Sequence, residues 1–205
     1  MKRGILTISI FCIVIINCGQ PPSLEANPVS NYYLSDFTPS AIEVDSISQK
    51  SLVRENYKFS LRVKEDSVIN VIVPGKSSYI YKNSINIYPG ERLFVEIESN
   101  DFNKMKIVDK SNKSRATILI SLSQFESLSQ FETGDGTIFS ITHFQKKSIS
   151  FHALLNPPNS DRLYQKYECA APPENCYMKY WPYPVNQVIL YGLEFVEPGN
   201  SSCGY

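Results

Sequence analysis

The two histidines are the residues best suited to hold a metal ion or to act as a base. His143 shares a face with Phe139 and Ile141, whereas His152 falls between apolar residues and is predicted to face solvent. A zinc site requires three or four nitrogen, sulfur or carboxylate ligands. The chain has no HxH, HExxH or CxxC spacing. We therefore predict no metal site and no bound cofactor.

The sequence also lacks the motifs of nucleophilic and phosphate chemistry. No GxSxG elbow presents a serine, and no glycine-rich phosphate loop occurs. Gly134-Asp135-Gly136 is typical of a hairpin turn and lacks the further carboxylates of a calcium loop. A carboxylate pair for glycoside hydrolysis depends on a distance in space, so the sequence leaves that alternative open. We predict that the protein is not an enzyme and has no catalytic residues.

Three cysteines near the C-terminal end of the chain could form a disulfide. The tyrosine-rich segments Leu163–Cys169 and Cys176–Trp181 flank a polar, proline-containing loop, which is typical of a hairpin. Cysteines that face each other at a non-hydrogen-bonded pair have Cα atoms ~4.5 Å apart, within reach of a disulfide. We predict a Cys169–Cys176 disulfide. The alternative pairs either residue with Cys203, and one cysteine is left over in both cases.

The same part of the chain is rich in aromatic residues. Tyrosine and tryptophan combine a rigid apolar ring with a polar group, and contact surfaces favour them. This composition indicates a partner-binding surface. The alternative is that half of the rings complete the core and the others cover its edge. The aromatic residues concerned are Tyr164, Tyr167, Tyr177, Tyr180, Trp181 and Tyr183, of which Tyr177, Tyr180, Trp181 and Tyr183 are the candidate binding residues.

The N-terminal segment indicates export. Lys2 and Arg3 precede an uncharged apolar run from Gly4 to Ile16. That run is about 13 residues long, typical of a signal peptide and short for a helix that crosses a ~30 Å bilayer core. A retained membrane anchor is the alternative. Ordinary signal peptidase requires small residues at positions −3 and −1, and Ile16 at −3 does not fit a cut after Cys18.

Residues 15–19, Ile-Ile-Asn-Cys-Gly, resemble the lipobox of bacterial lipoproteins, in the relaxed form found in spirochaetes because Asn17 replaces the common Gly or Ala. The resemblance implies that Cys18 is acylated, becomes the mature N-terminus and holds the protein to a bilayer of the cell envelope, at the outer membrane or cell surface. Several acyl chains anchor a protein firmly, whereas one alone is marginal. A plain secreted protein is the alternative.

These assignments divide the chain into three parts: a signal peptide at 1–17, a lipidated tether at 18–31 and one domain at 32–205. Three prolines among residues 19–31 indicate a semi-extended tether. The 20 basic and 20 acidic residues become 18 and 20 once Lys2 and Arg3 are removed, a net charge of −2. Because the positive charges are scattered, we predict no nucleic-acid partner.

Alternating apolar residues predict the fold of the domain. Tyr57, Phe59, Leu61 and Val63 alternate with polar residues, and similar segments recur at roughly ten-residue intervals. The spacing predicts an all-β fold, either a β-sandwich or a small barrel, and we favour an antiparallel β-sandwich, immunoglobulin-like or jelly-roll-like. Residues 85–98 resemble the hairpins of bacterial immunoglobulin-like domains. The other predicted strand segments are 68–73, 85–87, 93–97, 105–107, 118–122, 137–144, 149–155 and 189–195.

One segment departs from the period of two. Leu-Ser-Gln-Phe-Glu occurs at 122–126 and again at 128–132, which places apolar residues three positions apart. This spacing predicts one short connecting helix at Gln124–Glu132.

The sequence leaves three functions open. The chain resembles spirochaetal surface lipoproteins in its N-terminus and in its lack of catalytic motifs, which implies a surface-exposed lipoprotein that binds a protein or matrix partner. The second interpretation is a periplasm-facing component that scaffolds or assembles other envelope proteins. The third is a glycan-binding module that uses the aromatic segment.

Overall fold

The computed structural model describes residues 53–64, 66–73, 77–110, 116–125, 136–167 and 170–198. These residues form β strands and two 3-10 turns, Glu98–Asn100 and Phe102–Lys104. The all-β prediction is confirmed. The strands are β1 (Val53–Arg54), β2 (Lys58–Lys64), β3 (Ser67–Ile72), β4 (Ser77–Ser78), β5 (Ile80–Tyr81), β6 (Ser84–Ile87), β7 (Arg92–Ile97), β8 (Met105–Val108), β9 (Ala116–Phe125), β10 (Gly136–His143), β11 (Ser148–Asn156), β12 (Tyr164–Tyr167), β13 (Cys176–Trp181) and β14 (Gln187–Val196).

The strands form two five-stranded sheets and two short ribbons. The first sheet has the order β13-β10-β9-β7-β8, and the second has the order β12-β11-β14-β6-β5. β1 pairs with β4 and β2 pairs with β3. Each of these strand pairs is antiparallel.

The two sheets pack face to face through the apolar residues that the alternation points inward. On β9 and β10 the inward side chains include Ile120 and Phe139, both fully buried. On β11 of the second sheet Phe151 and Ala153 take the same role. The rings of Phe139 and Phe151 meet edge to face across the core, with centroids 6.1 Å apart. The predicted β-sandwich is therefore confirmed.

The predicted helix at Gln124–Glu132 is wrong at its start. Gln124 and Phe125 belong to β9, where Phe125 pairs with Gly136 of β10. Residues three apart lie on opposite faces of a strand, so Leu122 points into the core while Phe125 is exposed. Residues 126–132 lie outside the described part of the chain.

The predicted hairpin between the tyrosine-rich segments is also wrong. β12 pairs with β11 at the edge of the second sheet, and β13 pairs with β10 at the edge of the first. The chain between them makes an isolated bridge from Ala171 to Ile149. Each segment is the edge strand of a different sheet. The prediction of a disulfide between facing residues of one hairpin therefore loses its geometric basis. Cys169 lies outside the described residues, and its pairing with Cys176 stays a prediction.

A buried ion pair ties the β1–β4 ribbon to the sandwich. The guanidinium of Arg54 donates to both carboxylate oxygens of Glu91, at 2.5 and 2.7 Å. It also donates to the backbone oxygens of Ser78 at 2.9 Å and Asn86 at 2.5 Å. Arg54 and Glu91 are 2% and 7% exposed. One side chain thus joins β4, β6 and the turn before β7.

Aromatic rings enclose this ion pair. The guanidinium carbon of Arg54 lies 3.9 Å from the ring centroid of Tyr79 and 4.8 Å from that of Tyr88. Burial raises the pKa of both hydroxyls, so the rings stay neutral. The backbone N–H of Tyr88 donates to Glu91 at 2.8 Å. The rings therefore surround the two charges without adding charge.

The β2–β3 ribbon is fastened to the first sheet by one amide side chain. Gln124 accepts from the backbone N–H of Arg62 at 2.9 Å and donates to the backbone oxygen of the same residue at 2.5 Å. The amide thus makes, at Arg62, the two hydrogen bonds that a neighbouring strand would make with this edge of β2. On the inner face of the ribbon, Leu61 is fully buried.

Candidate partner-binding surface

Strand β13 places the predicted aromatic residues on two different faces of the first sheet. Trp181 lies opposite Thr137, and Tyr180 lies opposite Ile138. The indole of Trp181 is 3% exposed and stacks on Phe139 with ring centroids 5.8 Å apart. Because it fills the core, Trp181 cannot contact a partner, and its prediction as a binding residue is wrong.

Tyr177 and Tyr183 also turn toward the core. The Tyr177 ring packs edge to face against Phe151, at 5.5 Å between centroids. Tyr183 is partly buried and packs against the core, and its backbone oxygen accepts from the Thr137 hydroxyl at 3.0 Å. Tyr180 is therefore the most accessible of the four predicted binding residues, at 37% exposure.

On the outer face, Tyr180 forms an apolar patch with two residues that the sequence did not single out. Met178 is 44% exposed, and Phe125 at the end of β9 is 37% exposed. The rings of Phe125 and Tyr180 meet edge to face, with centroids 6.4 Å apart. We call Phe125, Met178 and Tyr180 the outer patch. The alternation of β13 around Trp181 could have revealed Met178, because every second residue shares the outer face.

Glycine at position 136 lets the Tyr180 ring lie against the sheet. A Cβ atom built on Gly136 would come within 2.2 Å of the Tyr180 ring. Gly136 is also the residue that pairs with Phe125 across β9 and β10. The ring of Tyr180 thus occupies the space that a side chain would fill, which holds it beside Phe125.

Hydroxyl groups border the outer patch. Ser140 lies opposite Met178 on one side and opposite Ser121 on the other. The two serine hydroxyls are hydrogen bonded at 2.7 Å. Farther along the same sheet, Lys106 and Glu96 form an ion pair at 3.0 Å. The first sheet therefore has an exposed apolar patch at β13 and, toward its opposite edge, an ion pair between β7 and β8 in which Glu96 is buried.

His143 is held inside the fold by hydrogen bonds at both ring nitrogens. His143 is fully buried, as are Phe139 and Ile141 on the same face of β10. Its Nε2 lies 3.3 Å from the backbone oxygen of Ala171, and its Nδ1 accepts from the N–H of Gln145 at 3.3 Å. Burial lowers the pKa of His143. A neutral imidazole with both nitrogens engaged in the fold is a structural group and is poorly placed to accept a proton from a substrate.

His152 takes the outward face of β11, because Phe151 and Ala153 on either side of it are buried. Its ring is partly buried against Tyr191, at 5.1 Å between centroids. Within the described ranges, no three histidine, cysteine or acidic residues are grouped so that they could hold a metal ion.

The cysteine assignments fall mostly on residues that the structure does not describe. Cys18, Cys169 and Cys203 lie outside the described ranges. Cys176 begins β13, and its sulfur lies 3.7 Å from the backbone oxygen of Tyr177. In the part of the chain that is described, no helix has the length and apolar character to cross a bilayer.

Comparison with known proteins gives no relative from which a function could be transferred. No protein-family model matches the chain, and neither a curated protein nor a solved structure is significantly similar to it. The features of this chain that bear on function are therefore the surface of the sandwich and the N-terminal sequence.

Proposed function

We propose that this chain is a lipid-anchored protein of the bacterial cell envelope, exposed at the outer membrane or cell surface, whose β-sandwich binds a protein or matrix partner. The outer patch is the observation that carries the binding role. The anchoring role is supported by the lipobox-like sequence that ends in Cys18. In this proposal acylated Cys18 holds the protein to the bilayer, and the sandwich presents the outer patch.

The composition of the outer patch favours a protein partner. Aromatic residues and methionine are enriched at the centres of protein interfaces, and polar groups surround them. Here Phe125, Met178 and Tyr180 form the apolar centre, and the hydrogen-bonded Ser121 and Ser140 lie beside it. The patch lies on paired strands, so its backbone is already ordered, which lowers the entropy cost of binding.

A glycan partner is the weaker alternative. Sugar recognition through an aromatic segment requires exposed ring faces. The largest ring of that segment, Trp181, is buried in the core. The rings of Tyr180 and Phe125 already meet edge to face. These contacts leave less aromatic surface for stacking than the sequence predicted.

The proposed anchor predicts that acylation requires Cys18. Cells that express the full chain and are fed radiolabelled palmitate should label the wild type, and Cys18→Ala should lose the label. Cys12→Ala is the matched control, because residue 12 lies in the segment that is removed with the signal peptide. Equal labelling of wild type and Cys18→Ala would refute the anchor.

Surface exposure is tested on the same cells. Protease added to intact cells should degrade a sandwich that faces outward, and it should spare one that faces the periplasm. Degradation only after the outer membrane is opened would favour the scaffold alternative. A periplasmic marker protein that stays intact shows that the membrane was closed.

We expect the double substitution Met178→Ser with Tyr180→Ser to weaken partner binding. Hot-spot residues near the centre of an interface cost about 2 kcal/mol or more when they are truncated, which corresponds to roughly a 30-fold change in Kd. Binding of the full chain is measured on a panel of immobilised extracellular matrix proteins. Phe144→Ser is the control, because Phe144 is 41% exposed and lies outside the outer patch. No binding by the wild type, or equal binding by the double variant, would contradict the proposal.

A further inference from the structure

Among the described residues, the β2–β3 ribbon has one covered edge and one open edge. The Gln124 side chain forms hydrogen bonds with the backbone N–H and C=O of Arg62, on the edge of β2 that faces away from β3. On the other side, β3 pairs only with β2 among the described strands. An open strand edge presents a row of backbone donors and acceptors, and proteins usually protect such edges with charges, prolines or bulges. β3 itself, with the sequence Ser-Val-Ile-Asn-Val-Ile, has no charge and no proline.

The hydrogen bonds of the ribbon show which residues point toward the open edge. Val73 donates its N–H to the backbone oxygen of Tyr57 at 2.9 Å. Backbone groups of an antiparallel strand alternate between its two sides. The N–H and C=O groups of Val68, Asn70 and Ile72 therefore point away from β2.

The same three residues carry the exposed side chains of β3. Val68 is 55% exposed and Ile72 is 64% exposed, which makes them the two most exposed of the large apolar residues in the described ranges. They lie two residues on either side of Asn70. Under a two-fold axis at Asn70, Val68 of one copy would meet Ile72 of the other and Ile72 would meet Val68, so an apolar residue would meet an apolar residue at both positions.

We propose that β3 pairs with β3 of a second copy of this chain, antiparallel and about a two-fold axis at Asn70. In this arrangement Asn70 lies opposite its own copy, and Val68 lies opposite Ile72 of the partner subunit. Each of these pairs exchanges two backbone hydrogen bonds, about six in total. The exposed apolar side chains of both copies lie side by side on one face, close enough to contact each other.

The strand bounds select this axis over its neighbours. An axis one residue later would place Val68 opposite residue 74, which is a proline and has no N–H to donate. An axis one residue earlier would place Ile72 opposite residue 66, which lies in the turn before β3. Only the axis at Asn70 pairs all three edge-directed residues inside Ser67–Ile72.

The charges of the ribbon permit this pairing. Lys58 lies opposite Ile72, and Arg62 lies opposite Val68, on β2. In the four-stranded sheet of the dimer, Lys58 of one copy and Arg62 of the other are three strand spacings apart, about 14 Å. That distance exceeds the screening length of ~8 Å at physiological salt, so repulsion between them is weak.

Cysteine cross-linking of the full chain tests the axis. In an antiparallel hydrogen-bonded pair the Cα atoms are about 5.5 Å apart, within reach of a disulfide. Asn70→Cys should therefore form a disulfide-linked dimer on mild oxidation. The control is Ser60→Cys, which lies opposite Asn70 on β2 and is exposed as well. In the dimer its two copies are about 14 Å apart, too far to cross-link. Equal cross-linking of the two variants would overturn the proposal.

Sedimentation equilibrium of the full chain in detergent tests the dimer without added cysteines. The wild type should dimerise, and Val68→Lys with Ile72→Lys should raise the dimer Kd at least tenfold, because charges on the edge oppose pairing. Both residues are exposed, so the fold should survive. Phe144→Lys replaces an exposed apolar residue outside the ribbon and should leave the dimer unchanged. A monomeric wild type, or an unchanged Kd in the double variant, would exclude the dimer.

Discussion

Replacement of Glu91 by leucine is expected to lower the free energy of unfolding by about 3–5 kcal/mol, because it leaves the charge of Arg54 buried without its counterion. The Arg54 guanidinium is 2% exposed, and its two bonds to Glu91 measure 2.5 and 2.7 Å. In a chain of this size the loss corresponds to a fall in Tm of roughly 6–20 °C. Urea denaturation at neutral pH measures it.

The double variant Arg54→Met with Glu91→Leu removes both charges. It therefore separates the penalty for an unpaired buried charge from the net contribution of the ion pair to the free energy of unfolding. Apolar residues of similar volume often replace a buried ion pair at little cost. The backbone oxygens of Ser78 and Asn86 would lose their donor, however, at about 1–3 kcal/mol each. We expect the double variant to be less stable than wild type and to lose less than the sum of the two single variants.

A surface ion pair supplies the control for this cycle. Lys147 and Glu197 lie 2.7 Å apart, and both side chains are more than half exposed. Lys147→Met should therefore change stability by less than about 1 kcal/mol. A Glu91→Leu variant that is no less stable than Lys147→Met would show that the buried pair contributes little.

The strands that the sequence predicted correctly are those with a local signal. The alternation in β2 and the inward residues of β9 and β11 can be read without knowledge of their neighbours, because side-chain direction repeats every two residues. Local alternation does not show which other strand a given strand pairs with. β12 and β13 are close in sequence and similar in composition, yet they pair with β11 and β10 in different sheets. No property of either segment alone specifies that choice.

The residues of the outer patch and of the buried ion pair were likewise only partly predictable from local sequence. Tyr180 was predicted from its residue type, whereas Phe125 reaches the outer patch only because β9 extends to that residue. The ion pair between Arg54 and Glu91 joins residues 37 positions apart, and neither has a local pattern that marks it as buried. Long-range pairs of this kind emerge only when the topology is known.

The aromatic residues of β13 have one of two roles: they pack in the core, as Trp181 does, or they lie on the outer face, as Tyr180 does. Because the Trp181 indole fills the core beside Phe139, we expect Trp181→Ala to lower the free energy of unfolding by about 3–5 kcal/mol. Tyr180→Ala, one position away and exposed, should cost about 1 kcal/mol or less. Urea denaturation of both variants measures the difference. Equal stability losses would contradict the assignment of these residues to opposite faces.

Trp181→Phe shows whether the cost comes from lost volume or from the indole itself. The indole N–H has no hydrogen-bond partner among the described residues, so phenylalanine removes a buried polar group while it keeps a ring on Phe139. Removal of the unpaired N–H relieves a desolvation penalty, and this gain offsets part of the free-energy cost of the cavity that the smaller ring leaves. We therefore expect Trp181→Phe to lose less than half the stability that Trp181→Ala loses. An equal loss in the two variants would mean that the indole contributes an interaction beyond packing.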